Sequence, residues 1–239
     1  MFPGFPPEGL TFLRSLNRNN DRDWFQPRKH LFESQLKDPM LALCDEINGQ
    51  LAKFGPDYIT DPKKALFRIY RDTRFSNDKT PYKTYVASVF RRRGEKIGSP
   101  VLYVAISLKG VTVAGGVHDP EPAHLLAIRS WLAANHTEFR RAARRPEKLL
   151  GALQGESLQR IPKGFAADHP AADLIKMKRW VFDTTLDPKL ATSPKLLQEV
   201  SKRFRVMVPV LELLQKPLAK SKQAAAQSAA MFSVSGYGI

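Results

Sequence analysis

Apolar positions recur at helical spacing through the first third of the chain and switch to strict alternation in the second. Leu10, Phe12, Leu13 and Leu16 follow Pro6-Pro7-Glu8, as in a helix with proline in its first turn. Asn19-Asn20-Asp21 interrupts that run and recaps the chain before Trp24, Phe25, Leu31 and Phe32, with Pro27 in an early turn. Asp38-Pro39 opens a third helix carrying Leu41, Leu43, Cys44, Ile47 and Leu51, and Gly55-Pro56 ends it. From Phe67 the period becomes two. Phe67 and Ile69 alternate with Arg68 and Tyr70, and Val86, Ser88 and Phe90 alternate with Tyr85, Ala87 and Val89. Val101 to Leu108 is apolar on both faces, as expected of a central strand, and Lys109-Gly110 joins it to Val111-Thr112-Val113-Ala114 as a hairpin.

The remainder returns to helical spacing. Asp119-Pro120-Glu121-Pro122 predicts a helix start with Asp119 as N-cap, followed by Leu125, Ile128, Trp131 and Leu132. Pro146-Glu147 restarts a helix after the cluster Arg140-Arg141-Ala142-Ala143-Arg144-Arg145, which reads as a solvated helix end. Residues 151–170 read as loop, with a short extended piece at Trp180-Val181-Phe182. Ser193-Pro194 caps a long helix bearing Val200, Phe204, Met207 and Leu211, which Pro209 should kink. Helices, then antiparallel strands, then helices give an α+β fold: a mainly antiparallel sheet of four or more strands from about 65 to 115, covered by N- and C-terminal helices. One domain spans 1–215. An Ala/Ser/Lys/Gln-rich tail fills 216–239, from which Met231, Phe232 and Tyr237 could dock. Phe67, Ile69, Val104, Ile106, Ile128, Trp131, Val200 and Phe204 are the expected core.

Charge sharpens this outline. The 239 residues hold 38 Lys and Arg against 23 Asp and Glu, a net charge of +15 that favours anionic partners. Between Asp61 and Pro100 there are 11 basic and 4 acidic residues, so nearly half the excess sits in one sixth of the chain. The N-terminus shows no secretory pattern, no apolar run could span a bilayer, and Cys44 stands alone; a cytoplasmic protein away from membranes is expected. Phosphate-loop, nucleophile-elbow and His-Glu-x-x-His motifs are absent, and the five histidines form no recognisable metal-ligand pair. His118 follows Gly115-Gly116 at a strand end, where a functional histidine would be well placed, but an incidental histidine beside a helix cap accounts for it too. Cys44 reads as a small core residue.

The basic block is Arg68-Ile69-Tyr70-Arg71-Asp72-Thr73-Arg74-Phe75, continuing to Asp78-Lys79-Thr80-Pro81-Tyr82-Lys83. Arg68, Arg71, Asp72, Arg74, Phe75, Asp78, Lys79 and Tyr82 resemble the signature of a bacterial family of conserved hypothetical proteins, domain of unknown function 2461. Gly4-Phe5, Asn19-Asn20, Trp24-Phe25, Gly115-Gly116 and Ile161-Pro162-Lys163-Gly164-Phe165 resemble its other conserved stretches. The likeness covers about residues 2–215. It implies a single domain and supplies no activity, cofactor or catalytic role.

The chemistry of the block therefore rests on its residues. Cations crowded on one loop repel each other unless an anion or carboxylates lie among them, and Asp72 and Asp78 neutralise only part of the charge. A ligand bearing phosphate or carboxylate would be clamped by Arg68, Arg71 and Arg74, with charge from Lys79 and Lys83 and a hydrogen bond from Tyr82. Asp72 would orient an arginine or act as acid or base. Three alternatives stay open. The arginines could pair with protein carboxylates and serve packing alone. The same basic face, with the interleaved Tyr70, Phe75, Tyr82 and Tyr85 and extended by Arg91-Arg92-Arg93, could hold nucleic acid. The chain could also be a non-catalytic interaction scaffold.

Overall fold

In a computed structural model of the chain, the backbone is described for residues 2–95 and 97–234, and the side chains as far as Ala219. The first element, α1 (Pro7–Arg18), has proline at its first position and buries Gly9, Phe12, Leu13 and Leu16 along one face. It stops at Asn19. Asp21 then caps α2 (Arg22–Phe25), accepting the Trp24 backbone N–H at 2.8 Å. A 3₁₀ turn at Gln26–Arg28 takes up Pro27 and leads into α3 (Lys29–Phe32), a π turn over Glu33–Lys37, and α4 (Asp38–Phe54). The third expected helix is thus the continuation of the second, because Lys37 and Asp38 both keep helical dihedrals. After Gly55 come a 3₁₀ turn at Pro56–Tyr58 and the short α5 (Pro62–Ala65).

Four strands, β1 (Tyr85–Arg91), β2 (Val101–Ser107), β3 (Gly110–Val117) and β4 (Trp180–Leu186), pair in sequence order, each antiparallel to the next. The fold is α+β, and β2 is central as its two apolar faces require. The expected span of the sheet needs correcting. Residues 66–83 add only isolated bridges, Leu66 to Ser88 and Tyr70 to Tyr82, and the fourth strand arrives from position 180. Alternation at Phe67–Tyr70 has another origin. Ile69 turns inward while Arg68 and Tyr70 face water, without a continuous ladder to pair with.

Between the hairpin and β4 lie α6 (Pro122–Leu150) and α7 (Ala172–Lys176), and α8 (Leu196–Val234) closes the chain. Glu121, with no side-chain bond, caps α6 in place of Asp119. Pro146 does not restart a helix. It lies buried inside α6, whose one non-helical residue is Asn135, where the side-chain amide donates to the Trp131 carbonyl at 2.8 Å. Helix α8 passes through Pro209 and Pro217, so the boundary expected at Lys216 falls inside it, and Leu218 is fully buried. The Met231, Phe232 and Tyr237 side chains lie outside the described residues.

The inner face of the sheet carries Val86, Phe90, Val104, Ile106, Val113 and Phe182 against α4 and α8, while α6 packs on α8. The approach is close because Gly115 has no side chain: a Cβ there would stand 2.8 Å from Met207 Sδ. Buried Ser88 on the same face accepts the Cys44 thiol at 3.2 Å, and burial pushes that thiol up to about 11. One apolar core runs from Phe2 to Leu218 and includes six of the eight expected residues. Phe67 is instead 37% exposed, because β1 pairs past it only through Leu66, and Trp131 is half-buried beside Lys216. No helix among the described residues is long and apolar enough to cross a membrane.

Candidate anion site

The arginine-rich segment leaves α5, runs outward past Phe75, and returns to β1. Its two limbs are tied by Arg71 N to Pro81 O at 2.9 Å and Lys83 N to Ile69 O at 2.8 Å, flanking the Tyr70–Tyr82 bridge. The turn is anchored to the helices by Asn20. Its amide donates to the Tyr82 carbonyl at 2.9 Å and accepts the Tyr82 N–H at 3.0 Å, copying a strand partner across 62 residues of sequence. Tyr82 itself is 1% exposed and stacks on Phe25 with ring centres 4.1 Å apart.

Between this turn, the end of α1 and the start of β1 lies a cleft of 550 Å³. Arg71, Asp72, Asp78, Tyr82 and Lys83 line it among the residues expected from sequence; Asn17, Asn20, Thr80 and Tyr85 join them. Arg68, Arg74 and Lys79 do not. The Arg68 side chain is exposed and forms no hydrogen bond or ion pair among the described residues. Lys79 Nζ reaches back to the Thr73 carbonyl at 2.9 Å. Arg74, beside the 95% exposed Phe75, makes a two-point pair with Asp72 at 3.0 and 2.7 Å.

The two carboxylates have separate tasks. Asp72 holds Arg74, while Asp78 caps the Thr80 N–H at 2.9 Å and accepts from Arg71, which also donates to Thr80. The Arg74 side chain lowers the Asp72 carboxyl to about 2, and the Thr80 backbone N–H followed by Arg71 does the same for Asp78. Lys83 is shifted the other way. Partial burial lowers its pKa, Arg68 adds to the effect, and among the described residues Lys83 Nζ has as partners the Arg68 carbonyl at 2.8 Å and the Phe67 ring at 5.2 Å.

These shifts give a signed expectation. Both carboxyls titrate lower in the folded chain than in the unfolded one, so the stability they supply is fully present above the ordinary carboxylate range, about pH 4. It is lost as pH falls through about 2. Carbon-detected NMR of the side-chain carboxyls should place both midpoints near 2, with the 71–80 amides broadening in the same window. Midpoints near the unperturbed value would show that the pairs are not populated.

Elsewhere the cations are arranged differently. Arg92 is paired with Asp57 at 2.5 Å and Glu212 at 3.2 Å, Arg91 lies on the outer sheet face and Arg93 faces solvent, so the triplet does not form one stripe. His118 contacts Arg179 at 3.3 Å, and no cluster of metal-binding side chains occurs among the described residues. Sequence reading gave no binding role to Asn17, Asn20, Thr80 or Thr84, and took Tyr85 only as an aromatic of a nucleic-acid face. Asn20 read as a helix break and a point of family likeness; its spacing from Tyr82 gives no local cue to pairing.

No curated protein and no solved structure matches the chain. Its likeness is to a family with no assigned activity, and the matched stretch holds every residue of the cleft. Matched over residues 8–212, the chain belongs to the conserved hypothetical protein family DUF2461.

Proposed function

We propose that the cleft between the Asn17–Asn20 corner and the 68–83 turn binds a small molecule through its phosphate or carboxylate group. The observation that carries this reading is the unbalanced charge. Arg68, Arg71, Arg74, Lys79 and Lys83 share one turn with two carboxylates, an excess of three positive charges. The carboxylates are committed to Arg71 and Arg74, which leaves Lys83 partly desolvated at the cleft wall with no carboxylate partner among the described residues. An anion there would remove the repulsion between Lys83 and Arg68 and regain the interaction that burial takes away. Arg71 offers its remaining N–H groups, and the Asn17 and Thr84 side chains add neutral polar contacts. Tyr82 serves as floor, since stacking on Phe25 fixes its ring. Asp72 acts as the orienting group for Arg74.

Thermal melting checks this. Phosphate and citrate, at constant ionic strength set with chloride, should raise the midpoint in a saturable way, and Lys83→Ala should remove the increase. No increase with either anion defeats the proposal. Binding of generic oligonucleotides that weakens steeply with salt would assign the face to nucleic acid instead.

A further inference from the structure

The outer face of the sheet holds a trough whose lining among the described residues includes no helical residue. Direct cross-strand partners point to the same side, so Arg91, Val101, Gly116 and Val181 form one row and Val89, Tyr103, Ala114 and Asp183 the next. Two walls rise beside them. At the β1 edge the Phe67 N–H bonds to the Ala87 carbonyl at 2.9 Å, and its ring leans on Tyr103 with centres 6.2 Å apart. At the β4 edge Gln154 exchanges both backbone bonds with Val181, at 2.7 and 3.1 Å. Ile97, 69% exposed, stands at one end. The enclosed trough measures 590 Å³, within the range of small-molecule sites.

Its floor is apolar and lowest over Ala114 and Gly116, between the larger Tyr103 and Val181. Among the described residues its lining carries two cations, Arg91 and Arg179, and two carboxylates, Asp119 and Asp183. The side chains of Arg91, Asp119 and Asp183 form no hydrogen bond or ion pair among the described residues, whereas Arg179 contacts His118 and lies near Glu156. The Tyr103 hydroxyl has no hydrogen-bond partner among the described residues either, and burial, with Tyr85 adding to it, pushes it up to about 12. Arg91 and Asp183 stand on the two edge strands, three strand spacings or about 14 Å apart across the sheet, and two residues out of line along it. A charge of each sign at opposite sides of an apolar floor is the complement of a dipolar ligand with a flat body. A polyanion would meet the two aspartates, whereas the turn that carries Lys83 has cations in excess.

We infer that the trough is a second ligand site, built for a compact aromatic or heteroaromatic molecule with one anionic and one cationic end and no net charge. Its ring lies on Tyr103 and Ala114, its anionic end faces Arg91, and its cationic end faces Asp183. The test is amide-shift mapping by NMR with 4-(aminomethyl)benzoate, whose carboxylate and ammonium stand at opposite ends of one ring, as probe and 4-methylbenzyl alcohol as the uncharged comparison. The zwitterion should shift Val89, Tyr103, Ala114 and Val181 saturably and bind at least ten-fold tighter than the alcohol. Ala114→Phe, which fills the floor from the solvent side, should weaken the zwitterion at least ten-fold. Asp183→Asn, on the rim, should bring it down to the affinity of the alcohol. Both variants should keep the phosphate-induced rise in melting midpoint, so this site and the Lys83 cleft fail separately. Shifts confined to other residues, equal binding of the alcohol, or unchanged affinity in both variants would overturn the proposal.

Discussion

Replacing Tyr82 with alanine is expected to destabilise the protein by about 3–5 kcal/mol, the usual cost of deleting a wholly buried aromatic ring. The ring is 1% exposed, stacks on Phe25 at 4.1 Å and leans on Tyr70 at 5.5 Å. Its loss leaves a cavity under the 68–83 turn that backbone bonds from Asn20 would hold open. Tyr82→Phe keeps the ring and should change stability by less than about 1 kcal/mol. Denaturant unfolding of the pair separates two roles for this residue. A large loss in both variants would mean that the hydroxyl carries the stability, and a small loss in both would mean that the ring is not packed. The expected pattern, large for alanine and small for phenylalanine, makes Tyr82 the pin of the turn.

A single methyl at Gly116 should cost about 2–4 kcal/mol. Its φ is +152°, where a side chain is strained by about 1–3 kcal/mol. An added Cβ would stand 2.0 Å from the Trp180 carbonyl oxygen and 2.7 Å from Val181 Cα, so β4 must also move and give up ladder bonding worth about 1 kcal/mol per bond. Gly94→Ala is the comparison. There φ is +76° and nothing lies within 4 Å of the added atom, so only the backbone term of about 1–2 kcal/mol remains. Melting midpoints of the two variants should differ by several degrees. Equal losses would show that β4 yields to Gly116→Ala without cost.

The candidate cleft was only half legible in the sequence. The cation-rich turn announced itself by composition, because five basic side chains within sixteen residues exceed what two aspartates can neutralise. Which of them face the cleft depends on the path of the turn. The Arg71–Pro81 and Lys83–Ile69 backbone bonds direct Arg71 and Lys83 inward, and Asp72 draws Arg74 to the outside. Tyr82 read as a ligand contact because a tyrosine amid arginines offers a hydroxyl. Only the packing of α2 beneath it shows the ring stacked on Phe25. The trough had no signature as a site, although His118 and Arg91 were noticed singly, since its rows are assembled from four strands lying as far apart as positions 89 and 183.

Local rules sufficed wherever one segment determined its own shape. Proline and Asp21 placed the starts of α1 and α2, Gly55 the end of α4, and Lys109-Gly110 the hairpin, because caps and tight turns need only their immediate neighbours. The antiparallel sheet and its central strand likewise followed from period and apolarity along β1 to β3. Tertiary structure decided what depends on a distant partner. Phe67 and Ile69 alternate like a strand, yet they stay outside the sheet because β4 pairs with β3 and no continuous ladder extends past β1 on their side. Pro146 punctuates the sequence but not the helix, since packing holds it within α6. Gly115 and Gly116 are adjacent and look equivalent. One is required by Met207 of α8, 92 residues on, the other by Trp180 of β4, 64 residues on, and each contact exists only once those distant elements have met.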